Sequence, residues 1–324
     1  MKRRCQMAVV AVGAGLFAAV GLAAAQDRPQ GDVALPAEVV AAASAFDTFM
    51  DHAGALTGRF GDGEGVHRGL KTGAGYEMNQ FEEGMIGYGA IIAVRDQAFE
   101  EGVQRAARDF GGPRALAQSL LDDPAVVMRI EGGEDAARQV AAALQRRATR
   151  VSVAGRLVKQ AAYDVQHQAW SKVTVSNPAG RLAEAKTLSR TRFVASDQDN
   201  ARVMRAERDS PPADGSAGPP FSPVVMRALA LAAEAMLGEA TEQDVPRLQT
   251  LYTERWGADC LNMAKLNLYQ CLAVAGPQYE DLFCLGQHAL IDTGQCVAKA
   301  AGAAPASGVS LVATNAGRRE ADAP

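Results

Sequence analysis

The most regular hydrophobic pattern in the chain lies between residues 134 and 172. Leu144, Val151, Val158 and Val165 repeat at seven. Ala141, Ala148, Gly155, Ala162 and Ala169 repeat at seven, three residues ahead of them. That spacing puts both series on one helical face, the a/d seam of a coiled coil with a small residue at every a position. Small a residues let a partner helix approach closely. The pattern predicts a helix over 134–172, paired antiparallel with a second long helix over 76–110. The same seam would also serve a homodimer. Within 76–110, Phe81, Met85, Tyr88, Ile92, Phe99 and Val103 step by 4, 3, 4, 7 and 4, which is a buried stripe. Gly84, Gly87 and Gly89 interrupt its start. Each costs about 1 kcal/mol against Ala, so three together point to close backbone approach or a kink.

The remaining pattern is helical as well. Pro36 opens a helix to about Phe60. The glycine-rich stretch 61–75 reads as a mobile connector containing His67. Short helices are expected over 113–121 and 123–130, and another over 179–194. Residues 196–220 turn polar and end in a Pro/Gly/Ser-rich run, the composition of a linker. Ser222-Pro223 restarts a helix as cap and first residue. Thr241 caps the next, which reaches about Trp256. Strand signal is confined to 173–175 and 309–313. The expected class is all-α: a long antiparallel coiled-coil-like bundle over 36–195, then a disulfide-stapled C-terminal helical hairpin domain over 221–301. Residues 26–35 and 302–324 read as a disordered leader and tail.

The hairpin follows from the cysteines. Ala275-Gly276-Pro277 is a helix stop and restart, giving helices over 258–274 and 278–293. Four cysteines allow three pairings. Cys260 and Cys271 lie about 16 Å apart along one helix at about 1.5 Å per residue, too far for a disulfide. The crossed pairing does not suit antiparallel neighbours. Nested bridges remain, Cys260 with Cys296 and Cys271 with Cys284. Cys284 and Cys296 are twelve residues apart, roughly a third of a turn out of line in an α-helix, so a break at Asp292-Thr293-Gly294 is expected to re-aim Cys296. The layout resembles the twin-cysteine helical hairpins of small intermembrane-space proteins, which implies shared physics over this stretch only.

The N-terminus changes the setting. Lys2, Arg3 and Arg4 precede an uncharged run from Met7 to Ala25, and Ala23-Ala24-Ala25 precedes Gln26. This is the form of a cleaved signal peptide over 1–25. Export agrees with four remaining cysteines in an oxidising compartment, and the composition points to the bacterial periplasm. No second apolar run of spanning length follows. Cleavage leaves 30 basic residues against 37 acidic ones, a balance of −7. A mildly acidic chain argues against general nucleic-acid binding.

Candidate chemistry is sparse. Asp164-x-x-His167 would share a helical face, and Glu83 on the neighbouring helix could join them, loosely like half of a di-iron bundle site. A hydrogen bond between Asp164 and His167 is the simpler reading. Asp292-Thr293-Gly294 matches the core of an aspartic-protease loop but lacks the strand-rich frame. The four histidines, His52, His67, His167 and His288, form no metal-ligand spacing. Arg146, Arg147 and Arg150 flank the seam as a solvated face. No catalytic residue, metal site or cofactor is expected. The sequence supports an exported interaction or scaffold protein of the bacterial envelope with a protein partner. The alternatives are a small-molecule- or metal-binding bundle and an enzyme acting on envelope material.

Overall fold

A computed structural model describes residues 34–205, 219–252 and 255–302, without the side chains of 253–258. The signal peptide, most of the leader, the centre of the linker, the tail and the run 309–313 lie outside the described residues. Those described are all helical, with Thr174 and Pro277 forming an isolated antiparallel bridge.

The helix on which the others are built is α3 (Met78–Ala93), buried almost throughout from Gln80 onward. Its glycines bring neighbours close on two faces. A Cβ on Gly84 would stand 2.4 Å from the Ala42 carbonyl oxygen of α1 (Ala37–Gly54). A Cβ on Gly89 would meet Ala228 at 2.7 Å and Val140 at 2.8 Å. The glycine cluster therefore serves close approach, and α3 runs unbroken through it. Phe46, Phe49, Tyr76, Phe81 and Tyr88 fill the α1–α3 contact with ring centroids 4.6–5.4 Å apart.

Two sequence expectations change here. The helix over 76–110 is two helices, α3 and α4 (Gln97–Asp109). Asp96 accepts a hydrogen bond from the Phe99 amide at 2.9 Å, and a capping carboxylate starts a new helix rather than extending the old one. The connector over 61–75 contains α2 (Gly63–Ala74). Asp62 caps it, and Val66 and Leu70 are buried. Its Gly69 and Gly73 lie where a Cβ would come within 2.7 Å of Leu285. Glycine that looked like flexibility is contact surface.

Next come α5 (Pro113–Asp122), a 3-10 turn, and α6 (Gly133–Asp164). Leu144, Val151, Val158, Ala148, Gly155, Ala162 and Val165 are all buried, but against several elements of the same chain. Val140 near its start meets α3, whereas Gly155 lies where a Cβ would come within 2.9 Å of the Gly286 carbonyl and 2.7 Å of Ile291. The close approach allowed by the small residues is used within the chain, so this seam is not an exposed strip for a homodimer. α6 ends at Asp164 with Val165 as cap, short of residue 172. Arg146 and Arg150 are exposed, as a solvated face requires, whereas Arg147 is half-buried, and Arg147 and Arg150 are also tied to α1. Both pair with Asp51 of α1, Arg150 at 2.7 Å, and Arg147 reaches the buried Asp47.

After α7 (Pro178–Leu188), the segment expected as linker contains α8 (Asp197–Val203). Ser196 and Asp199 form a capping box, Ser44 donates to Asn200 at 2.7 Å, and Val203 is buried. Leu35, expected in the leader, is buried too. Beyond the segment, α9 (Pro223–Met236) packs on α3 and is buried nearly all round. Described residues on both sides of 196–220 thus share one core. The polar run separates no two cores.

The C-terminal part holds α10 (Val245–Tyr252), α11 (Arg255–Val274), α12 (Gln278–Cys284), a π-helical stretch (Leu285–Asp292) and α13 (Thr293–Ala300). Cys260 pairs with Cys296 and Cys271 with Cys284, with Cα atoms 5.6 Å apart in both. The offset of Cys296 is absorbed without a break. A π-helix closes i→i+5 turns and so rotates less per residue than an α-helix. Eight residues of it return Cys296 toward the face of Cys284. Asp292, Thr293 and Gly294 stay helical, and Gly294 lets Ser152 of α6 come close.

Candidate functional site

An open groove of about 840 Å³ lies between the second half of α6 and the stapled helices. Gln145, Thr149, Ser152, Arg156, Lys159 and Tyr163 line one wall at steps of three and four, so they form a second stripe on α6 beside the buried seam. From Gln145 to Tyr163 this stripe is roughly 27 Å long at about 1.5 Å per residue. The opposite wall comes from Met263 and Asn267 of α11 and from Gln287, Gln295 and Lys299. Met263 is 55% exposed and Tyr163 is 49% exposed, so apolar side chains stand in solvent at the edges. Cys260 and Cys296 also line the groove, and their bridge ties its α11 wall to α13.

A polar chain crosses the floor. Lys159 Nζ donates to Gln287 Oε1 at 2.7 Å, and Gln287 Nε2 donates to Asp292 Oδ1 at 2.8 Å. His288 Nδ1 stands 2.8 Å from Asp292 Oδ2. Burial would raise the Asp292 carboxyl, but hydrogen bonds from His288 and Gln287 hold it below the ordinary carboxylate value. Asp292 is therefore ionised and already engaged. Next to the groove, and sharing Tyr163 with it, is an apolar recess of about 360 Å³ lined by Tyr279, Phe283 and the Cys271–Cys284 pair.

Two other concavities hold unusual groups. A cavity of about 280 Å³ is lined by Phe49, Tyr76, Phe81 and Phe193, with His52, Lys71 and Glu77 also around it. Behind Tyr76 lies the buried Lys265. Its Nζ donates to the Tyr76 carbonyl at 2.7 Å and sits 3.5 Å from the Tyr76 ring centroid. Burial pushes this amine down to about 7, against a smaller opposing pull from Glu77. A buried amine near neutrality is a group that enzymes use as base or nucleophile. Here it shares a recess with His288 and Thr293 that has no room for a water molecule, so no substrate atom fits between them. The third cavity, about 550 Å³, lies over the buried Arg181–Asp281 pair, with His67 3.2 Å from Glu184 at its edge. Burial pushes Asp281 up to about 6 although Arg181 pulls it down.

The sequence-level candidates are not brought together. Glu83 pairs with Arg192 at 2.9 Å, and Asp164 accepts from Gln160 at 2.9 Å. The chain has left α6 before the exposed His167, so Asp164 and His167 share no helical face. Among the described residues no three His, Cys, Asp or Glu side chains are grouped to hold a metal. No helix among them is long and apolar enough to cross a membrane. Asp292-Thr293-Gly294 forms no protease loop, because all three residues are helical and Thr293 bonds Tyr76 at 3.2 Å.

Sequence reading missed the groove stripe and Lys265. The stripe was legible as the 145, 149, 152, 156, 159, 163 series, overshadowed by the stronger apolar seam beside it. Lys265 sits within the Leu261, Leu268, Leu272 stripe of α11, a position where a charge is buried. Comparison with family models, with curated proteins and with solved structures returns no match, so function is argued from these geometries alone.

Proposed function

We propose that this chain is an exported interaction protein of the bacterial cell envelope, acting in the periplasm, and that it docks a protein partner along the groove between α6 and the stapled helices. The observation that carries the reading is the groove. It is open and long, edged by exposed Tyr163 and Met263 and bordered by disulfide-paired helices. An open trough with exposed apolar edges fits a polypeptide better than a small molecule, which is usually held in a concave site that buries most of its surface. Two cysteine pairs suit an oxidising compartment, and the N-terminal segment has the form that directs a chain there.

An enzyme acting on envelope material fits less well. Among the described residues the one carboxylate lining the groove, Asp292, is bound by its own neighbours. The shifted Lys265 is buried against the Tyr76 ring, in a recess with no room for a water molecule. The test is fractionation of the native host, with mass spectrometry of the mature N-terminus and crosslinking of the folded protein in place. The expected result is a chain beginning at Gln26, in the periplasmic fraction, crosslinked to protein. An uncleaved chain in the cytoplasm would overturn export, and crosslinks confined to positions away from the groove would overturn the docking face.

A further inference from the structure

We infer that the groove takes an acidic, amphipathic segment of the partner protein. This rests on the docking reading above and names the chemistry of what docks. Two cations, Arg156 and Lys159, stand one turn apart on the α6 wall of the groove. Among the described residues the one lining carboxylate is Asp292, which His288 and Gln287 already hydrogen-bond. The sequence as a whole carries a formal charge of −4, so the groove inverts the sign of the molecule. A locally positive trough on an acidic protein attracts acidic segments and turns away the basic ones that the rest of the surface favours.

The lining also matches a polypeptide in kind. Gln295 lines the groove with an amide, and Gln145, Gln160 and Asn267 add amide oxygens, groups that suit a main chain or polar side chains. Tyr163 and Met263 offer exposed apolar contact beside the cations. A length of roughly 27 Å admits about five turns of helix or about eight extended residues. Single-stranded nucleic acid would want a row of aromatic platforms, and Tyr163 is the one aromatic residue lining this groove.

The experiment places a photo-crosslinking amino acid at Met263, and separately at Glu131 on an exposed stretch outside the groove, in the full chain expressed in its native host. The crosslinked species are then identified by mass spectrometry. The expected result is a protein segment, recovered from Met263 and not from Glu131, with several Asp or Glu residues interleaved with apolar ones. Its synthetic peptide should bind the purified protein with salt-dependent affinity. Arg156→Glu combined with Lys159→Glu should weaken that peptide roughly tenfold, and Lys-for-Glu changes in the peptide should restore binding to the doubly reversed protein. Unchanged circular dichroism and melting temperature would show that the reversed protein is folded. A neutral or basic segment at Met263 would overturn the acidic partner and leave groove docking standing. A lipid or nucleic-acid adduct would overturn the partner class. Adducts from Glu131 alone would overturn the groove reading itself.

Discussion

At the scale of single residues, the core contains charges that it tolerates rather than needs. In the unfolded chain Lys265 titrates near 10.5, and burial brings it to about 7 in the fold. Between those values the unfolded chain holds more protons, so this residue makes stability rise as pH rises from 7 to 10.5. Below pH 7 its full penalty applies. Chemical unfolding at pH 7 and pH 9.5 should show Lys265→Met gaining less stability than the wild type over that interval; equal gains would contradict a buried, shifted amine. Glu234 on α9 works in the opposite sense. Burial pushes its carboxyl from 4.5 up to about 7, although Arg247 stands 3.0 Å away and pulls it down. The folded chain then holds more protons, so stability falls as pH rises from 4.5 to 7. Glu234→Gln should flatten that fall, which urea midpoints at pH 5 and pH 7.5 would register. An undiminished fall in the variant would assign the effect to other groups.

At the scale of elements, glycine placement decides which helices touch. Gly155→Ala would push a methyl to within 2.9 Å of the Gly286 carbonyl and 2.7 Å of Ile291. Overpacking of this kind costs about 1–3 kcal/mol. Gly61→Ala, with nothing within 4 Å, should leave stability nearly unchanged. A Gly155→Ala protein as stable as the wild type would mean that α6 does not meet the π-helical stretch so closely. The same residues show what could be read from the chain alone. Helical class, most helix positions and the cysteine pairs were legible, because 3.6-residue periodicity, caps and bridge geometry are local. The α6 seam was legible as buried but not by what. A small residue reports that something comes close without naming the partner, and here it is a later segment of the same chain. The α2 helix was hidden because Gly69 and Gly73 lower helix propensity while serving a contact made only in the folded protein. The π-helical turn had no sequence sign beyond the twelve-residue spacing of Cys284 and Cys296.

At the scale of the whole molecule, α9 and α3 share a core across the polar 196–220 run, so unfolding should be a single event. Cys271→Ser should lower stability by about 3 kcal/mol while the protein still melts in one calorimetric transition. Two separated transitions would restore a two-domain division. Of the candidate site, the two cysteine pairs were legible. The groove itself arises only when α6 is laid beside residues more than a hundred positions later, which no local pattern encodes. The central claim is that this groove is where the protein meets its partner. The most direct measurement is quantitative mass spectrometry of proteins co-purified from the native host with the wild type and with Arg156→Glu, Lys159→Glu. The expected result is the same folded chain with one or a few envelope proteins depleted roughly tenfold. An unchanged set of co-purified proteins would contradict the account.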